Sequence, residues 1–327
     1  MPPPVRRKLL ASTWIVLALA LVLSGTALAG NGGIAPVAPH SPNAGGIRDA
    51  YWLVLVITGA IFVLVEAALV LFVIRYRSAG RPREVEGPQI RGHGRLELIW
   101  TAIPILILAG IASFVFYKLN GIDTAPARAA GNHLKVRVEG RQFYWRFVYP
   151  NGAVAVNELR APAGRVVDLD ITAPANDVAH SWWVPSLGGK LDAIPGKMNH
   201  TWFEADKVGV YQGQCAEFCG AQHALMLSRV RVVPPAEFDA WVTQQLTAGA
   251  SLGRQTFEGA CGPCHGVNGQ GLIGPPLQGN GTLANPKMLF VLLRNGRRAM
   301  PPVGRGWDER QLNALAAYVK KRFSGGG

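Results

Sequence analysis

The sequence predicts three architectures in series: a hairpin of two membrane-crossing helices, an all-β barrel or sandwich outside the membrane, and a small all-α domain at the C-terminus. Three observations predict this order. Two apolar runs are each long enough to cross a bilayer. The middle of the chain breaks into short alternating segments rich in β-branched and aromatic residues. The last stretch combines a C-x-x-C-H motif with helical spacing of its apolar residues. With 327 residues, 49% of them hydrophobic, the chain has enough apolar side chain for two or three separate cores.

The chain opens with "RRKLLASTWIVLALALVLSGTALAG", where a basic start precedes an apolar stretch and the small residues Ala27 and Ala29. This layout predicts a signal peptide over residues 1–29 with cleavage after Ala29; an uncleaved short anchor is the alternative. The next segment, residues 30–122, contains "YWLVLVITGAIFVLVEAALVLFVIRY" and "LELIWTAIPILILAGIASFVFYKL", which predict spans over about 51–75 and 97–118. Arg75, Arg77, Arg81, Arg83, Arg91 and Arg95 lie between them and belong on the cytoplasmic side. Everything beyond about residue 119 then faces the periplasm or the exterior of a bacterial inner membrane, with lipid as the first partner. Glu66 lies within the first span and receives no role, and Pro104 is tolerated where neighbouring helices satisfy the freed carbonyl.

Residues 123–234 read as the β domain. Its segments include "LKVRVEGRQFYWRFVYP", "GRVVDLDIT", "HSWWVPSL" and "LSRVRVVP", separated by turn pairs such as Asn151-Gly152. Residues 235–250 predict a short amphipathic linker helix ending in small residues, and residues 251–327 the helical domain.

The net charge of +13 is unevenly spread. Residues 1–118 hold 11 basic and 5 acidic side chains, residues 119–250 hold 12 of each, and residues 251–327 hold 10 and 3. Nucleic-acid binding needs a basic face with stacking or base-reading groups on a recognisable module, and none is present. The first excess is membrane-topology charge, and the last is a patch suited to an acidic partner.

"GQCAEFCGAQHALM" concentrates Cys215, Glu217, Cys219, His223 and Met226 in one short stretch, and "DVAHSWW" supplies His180 at the same end of the β domain. Thiolate, imidazole and thioether together suit copper better than zinc or a hard cation. A disulfide between Cys215 and Cys219 is the alternative in an exported chain. Two imidazoles, two thiolates and a thioether exceed what one blue-copper ion uses. Two coppers fit better, with both thiolates bridging and the weak axial positions given to Met226 and the backbone carbonyl of Glu217. His40, His93, His133 and His200 stand without partner ligands at metal-site spacing.

"CGPCHG" is a haem-attachment signal, in which Cys261 and Cys264 form thioethers and His265 ligates the iron. "NGQGLIGPPLQG" then provides a Gly-Pro segment able to wrap a flat ligand, and "RRAMPPVG" places Met300 before a proline. Met288 falls at helical spacing with Leu289 and Leu292 and reads as packing. "DERQLNALAAYVKKRF" predicts a closing amphipathic helix, acids first and bases last.

Taken together, the chain resembles subunit II of the haem-copper cytochrome c oxidases over about residues 51–246. The C-x-E-x-C-x-x-x-H-x-x-M pattern of that family is met by Cys215, Glu217, Cys219, His223 and Met226, with His180 in the upstream "HSW". The resemblance implies a cupredoxin fold holding the dinuclear CuA centre. Residues 251–323 resemble a small class I cytochrome c with Met300 as the sixth ligand, which makes the whole chain similar to a caa-type subunit.

Further roles follow from the resemblance alone. Asp192 and Glu217 match side chains near a magnesium ion shared with subunit I, and Glu97 matches a glutamate at the mouth of a proton-uptake channel. Phe143, in "RQFYWRF", stands where the family usually has the tryptophan at which electrons arrive from soluble cytochrome c; Trp145 is its neighbour in that aromatic stretch. The implied partners are oxidase subunit I, subunit III, and a donor cytochrome or quinol-oxidising cytochrome complex. The implied work is delivery of electrons from haem to CuA to subunit I, where oxygen is reduced and protons are pumped. Two rivals are the equivalent subunit of a nitric oxide reductase and an anchored copper-delivery protein; the latter predicts no haem and a single labile copper.

Overall fold

A computed structural model describes residues 36–76, 89, 91–126, 133–247 and 249–323. The predicted signal peptide and Arg77, Arg81 and Arg83 lie outside these residues.

Helices α1 (Pro42–Arg75) and α2 (Gly94–Asp123) contain both predicted spans; α1 begins nine residues earlier and α2 extends beyond its span at both ends. Lys118 Nζ near the end of α2 pairs with Asp49 Oδ2 near the start of α1 at 2.6 Å, so the two run antiparallel as a hairpin. The first turn of α2 is capped locally, because the backbone N–H of His93 donates to the Glu97 carboxylate at 3.0 Å and that of Leu96 to His93 Nδ1 at 3.3 Å.

The β domain consists of β1 (Leu134–Arg141), β2 (Tyr144–Val148), β3 (Val154–Val156), β4 (Glu158–Pro162), β5 (Val166–Thr172), β6 (His180–Trp183), β7 (Leu191–Ala193), β8 (Asn199–Glu204), β9 (Gly209–Cys215) and β10 (Leu227–Val233). They form two five-stranded mixed sheets, ordered β3-β2-β1-β5-β8 and β4-β10-β9-β6-β7. Inward residues of both sheets, among them Val138, Trp145, Phe147, Leu159, Ile171, Trp182 and Val230, build one core. Pairing of β6 with β9 sets Trp182 opposite Cys215, which brings His180 to the cysteine loop despite their distance in sequence.

β2 follows the period of two. Trp145 and Phe147 enter the β core, while Tyr144 and Arg146 point outward. Yet the outward residues Glu139, Arg141, Tyr144 and Arg146 are also buried, because the C-terminal domain covers that face.

Within residues 235–250, expected as a linker helix, Pro235–Thr247 form α3, whose Phe238 and Trp241 pack against Tyr149 of the β domain. Next come α4 (Gly249–Thr256) and a wider turn over Phe257–Cys261, followed by α5 (Gly262–His265), α6 (Gly281–Ala284), α7 (Pro286–Asn295) and α8 (Glu309–Phe323). Asn285 caps α7 through the amides of Lys287 and Met288, and Pro286 takes the first position, where no N–H is needed. α4 crosses α8 so closely that a Cβ on Gly253 would stand 2.2 Å from the Ala314 carbonyl oxygen.

The C-terminal domain is held to the β domain by direct bonds and not by its tether alone. Arg146 Nε donates to Gln311 Oε1 at 2.9 Å and Asn157 Nδ2 to the Gly259 carbonyl at 3.4 Å; Arg141 reaches the Arg305 carbonyl and Arg310 that of Gly152. Gly259 has no room for a side chain, since a Cβ there would lie 2.4 Å from Val156 Cγ1.

Candidate metal centre and haem site

The two sites are built on loops at one end of the β sandwich and on the first helices of the C-terminal domain. Ligand atoms of His180, Cys215 and Cys219 lie within 4.8 Å of one another, and all three residues are buried. Cys219 Sγ lies 3.6 Å from His223 Nδ1 and 3.7 Å from Met226 Sδ, and Cys215 Sγ is 3.2 Å from the Glu217 carbonyl oxygen. A short turn over His223–Leu225 returns the chain to β10, so that Met226 is fully buried beneath the cysteines. All four cysteines of the chain are free thiols, so Cys215 and Cys219 are not joined to each other.

The donor set fits copper. His180 Nε2 donates to Asp177 Oδ1 at 3.2 Å, and its Nδ1 is buried with no hydrogen-bond partner. A carboxylate bonded to one ring nitrogen in this way fixes the tautomer and leaves the other nitrogen as a ligand. Burial works against protonation of His180, but Asp177 and the Cys215 sulfur outweigh it and raise the imidazole pKa. The hydrogen bond from Cys219 holds the Cys215 thiol far below its ordinary value, while the same bond and burial push Cys219 up. One thiolate is therefore formed readily, and a cation is what stabilises the second. Gly140 has to be glycine, because a Cβ there would come within 2.9 Å of the His180 ring.

Trp145 is fully buried, with its ring 6.1 Å from that of His180 and 5.2 Å from that of Trp182. Phe143 is partly buried against the β core. Asp192 and Glu217 are exposed, and their carboxylates do not join the His180 cluster.

Cys261, Cys264, His265 and Met300 line one cavity of about 810 Å³, a volume within the range of roughly 300–1,000 Å³ typical of cofactor pockets. Its other walls are largely apolar, including Phe257, Leu277, Leu283, Leu293 and Val319. His265 Nδ1 donates to the Pro275 carbonyl at 2.8 Å, which leaves Nε2 free to ligate. Gly274 lies against that ring, where a Cβ would stand 2.7 Å away. Burial, and then the neighbouring Cys264, push the Cys261 thiol up to about 12. These residues fit a covalent haem, which Cys261 and Cys264 would attach and His265 and Met300 would ligate. Met288 is 55% exposed, outside the core in which sequence spacing placed it.

The cysteine loop also forms a wall of the haem cavity: Gln142, Phe143, Ala221 and Gln222 line it together with Cys264 and His265. Gln222, adjacent to His223, is only 5% exposed and its Nε2 donates to Cys264 Sγ at 2.9 Å. Gln142 Nε2 donates to the Cys219 carbonyl at 2.7 Å. Sequence reasoning missed Asp177 and Gln222; the quoted "DVAHSWW" contained the first of them three positions before His180.

Comparison with known families places three matches along the chain. Residues 34–117 match the transmembrane domain of cytochrome c oxidase subunit II, residues 156–233 its periplasmic domain, and residues 248–319 subunit III of cbb3-type cytochrome c oxidase. Cytochrome c oxidase subunit 2 of Alkalihalophilus pseudofirmus is 36% identical over 276 residues, covering 78% of this chain and 77% of the relative. Probable cytochrome c oxidase subunit 2 of Rickettsia bellii is 35% identical over 228 residues, 63% of this chain and 82% of the relative. Among solved structures, the periplasmic domain of subunit II of cytochrome oxidase from Bradyrhizobium japonicum aligns with 35% identity over 35% of this chain and 93% of that one, at a TM-score of 0.33. With two apolar helices, a cupredoxin-like domain and a cytochrome c domain in series, the chain belongs to the cytochrome c oxidase subunit II family, as a member with a fused C-terminal cytochrome c.

Proposed function

We propose that this chain brings electrons into a caa-type haem-copper oxidase of a bacterial inner membrane. Cys261, Cys264, His265 and Met300 hold a covalent haem; His180, Cys215, Cys219, His223, Met226 and the Glu217 carbonyl hold a copper pair; and subunit I, the partner, reduces oxygen and pumps protons. When bound, the haem and the copper pair each supply a reversible one-electron centre. The chain's own residues fix where those centres sit. Asp177 orients His180, the Pro275 carbonyl orients His265, and Met300 would supply the second protein ligand to the haem iron, a pairing that favours electron transfer over oxygen chemistry.

The observation that carries this reading is the contact between Gln222 and Cys264. A residue of the loop that would hold copper touches a cysteine that would carry the haem, so the two sites share a wall and a transfer between the bound groups would need no domain movement. The docked interface around Tyr144 keeps that contact in place. On the resemblance to the family, the exposed carboxylates of Asp192 and Glu217 are assigned to a magnesium ion at the subunit I interface. Glu97 is assigned on the same basis to proton uptake, alongside its capping of α2.

The test is electron paramagnetic resonance with a haem stain on the purified chain. A mixed-valence copper signal together with covalent haem is expected. One isolated cupric signal and no bound haem would overturn both assignments. Co-purification of subunit I and subunit III from membranes checks the partners.

A further inference from the structure

The haem cavity is closed on one side by the chain itself, through Gln142, Phe143, Ala221 and Gln222. A donor outside the chain has to approach from elsewhere. Beside the cavity lies a second concavity, an open groove of 410 Å³, and both are lined by Thr282, Leu292 and Arg297. One layer of side chains thus separates the groove from the haem cavity.

Helix α7 forms the wall of this groove. Its Leu289 and Leu293 turn into the core, whereas Met288 and Val291 stand 55% and 61% exposed. Lys287 and Arg294 lie on the same outer face, since residues seven apart return to nearly the same side of a helix. Arg297 and Arg298 follow in the loop, and Arg305 joins them by donating from Nε to the Arg294 carbonyl at 3.3 Å. Among the described residues none of these five cations has an acidic partner. Of the three acids in the domain, Asp308 pairs with Arg146, Glu258 approaches Arg254, and Glu309 lies in the first turn of α8. An apolar centre with a rim of one charge sign is the layout of a surface that steers a partner of opposite charge and then packs against it.

We infer that the α7 groove docks an acidic redox protein, the external donor to this chain. The donor gives up one electron, which reduces ferric haem to ferrous; no bond or proton moves. The inference rests on the proposed haem function and adds the chemistry of the donor and the place where it binds.

The test mixes the full haem- and copper-loaded chain in detergent with flavodoxin hydroquinone, an acidic one-electron donor, and follows the visible haem band. The second-order rate is expected to fall as salt rises. At low salt it is expected to fall about tenfold in K287E/R294E. K320E/K321E, the same change in net charge on the last turn of α8 and outside the groove lining, is expected to keep most of the rate. Photoreduced lumiflavin, small and uncharged, is expected to reduce all three chains alike. A reduced basic class I cytochrome c is expected to show the opposite salt dependence. A rate with flavodoxin that ignores salt, or that drops equally in both charge-reversed chains, overturns the groove as the docking site. A chain carrying no covalent haem fails before any donor is added, and sinks the proposed function as well.

Discussion

The indole Nε1–H of Trp307 donates to the Tyr144 hydroxyl at 2.8 Å, and the two rings meet edge to face with centroids 6.2 Å apart. Tyr144 belongs to a strand of the β domain, yet it is fully buried among the side chains of the cytochrome domain, and its own hydroxyl donates to the Val303 carbonyl at 2.7 Å. The two domains thus share a core residue. Burial raises the Tyr144 pKa, so the hydroxyl stays protonated and both bonds persist through the working range of pH.

Removing that hydroxyl is expected to loosen the docking without touching either ligand set. Tyr144→Phe keeps the ring but strips Trp307 Nε1 and the Val303 carbonyl of their partner, and a buried polar group left unsatisfied costs about 1–3 kcal/mol. The full chain should melt at a lower temperature, with faster amide exchange around residues 303–307. Unchanged melting and exchange would show that apolar contact alone holds the interface.

Asp177→Asn tests the orientation of His180. The amide is nearly isosteric, but it no longer forces the Nε2–H tautomer or strengthens the imidazole as a ligand. Loss of such an outer carboxylate costs about 10–100-fold in metal affinity. Copper titration of the haem-loaded chain should show that loss while the haem content stays the same. Copper affinity equal to the parent chain would remove Asp177 from the site.

Acid is expected to weaken the interface through Glu139. Its carboxylate lies 2.9 Å from Arg141 and 3.1 Å from Arg146, on the face that the cytochrome domain covers. Burial pushes its pKa up, but Arg146 and Arg141 outweigh burial and hold the pKa below the ordinary 4.5. A carboxylate depressed in the folded state contributes stability above its unfolded pKa and loses it as pH falls through the folded value. Melting temperature should therefore be level from neutral pH down to about 4.5 and drop below it. Glu139→Gln leaves two buried guanidiniums short of a partner, a change that costs about 3–5 kcal/mol near neutral pH. It should also flatten the acid limb. An unaltered acid limb in that variant would move the sensitivity to another group.

How much of this was legible in the sequence depends on range. Cys215, Cys219, His223 and Met226 fall in one loop, so their spacing alone brings them together, and His180 arrives through a single strand pairing. The haem motif is equally local. The interface was illegible because it joins residues some 160 positions apart: Tyr144 with Trp307, and Arg146 with Gln311. Nothing in the alternation of β1 and β2 marks their outward residues as buried, and no periodicity announces that a later domain will cover that face. The histidines without ligand spacing gave a similar lesson. His40, His133 and His200 each lie against an aspartate, Asp206, Asp168 and Asp170, at 2.9, 2.6 and 2.7 Å, and such pairs form only once distant strands meet.

The two methionines of the cytochrome domain separate by what surrounds them. Met300 lines the haem cavity on a tight turn in which the Arg297 and Met300 backbones bond to each other at 3.0 Å. Gly296 makes this turn possible: its φ is +70°, and a Cβ there would stand 2.5 Å from the Met300 carbonyl oxygen. Met288 instead faces outward from α7. Met300→Leu should abolish the weak charge-transfer band of methionine-ligated ferric haem and lower the haem midpoint potential, because methionine ligation is what raises it. Met288→Leu should leave both unchanged. If the band survives in Met300→Leu, a different side chain ligates the iron, and the turn built around Gly296 has another purpose.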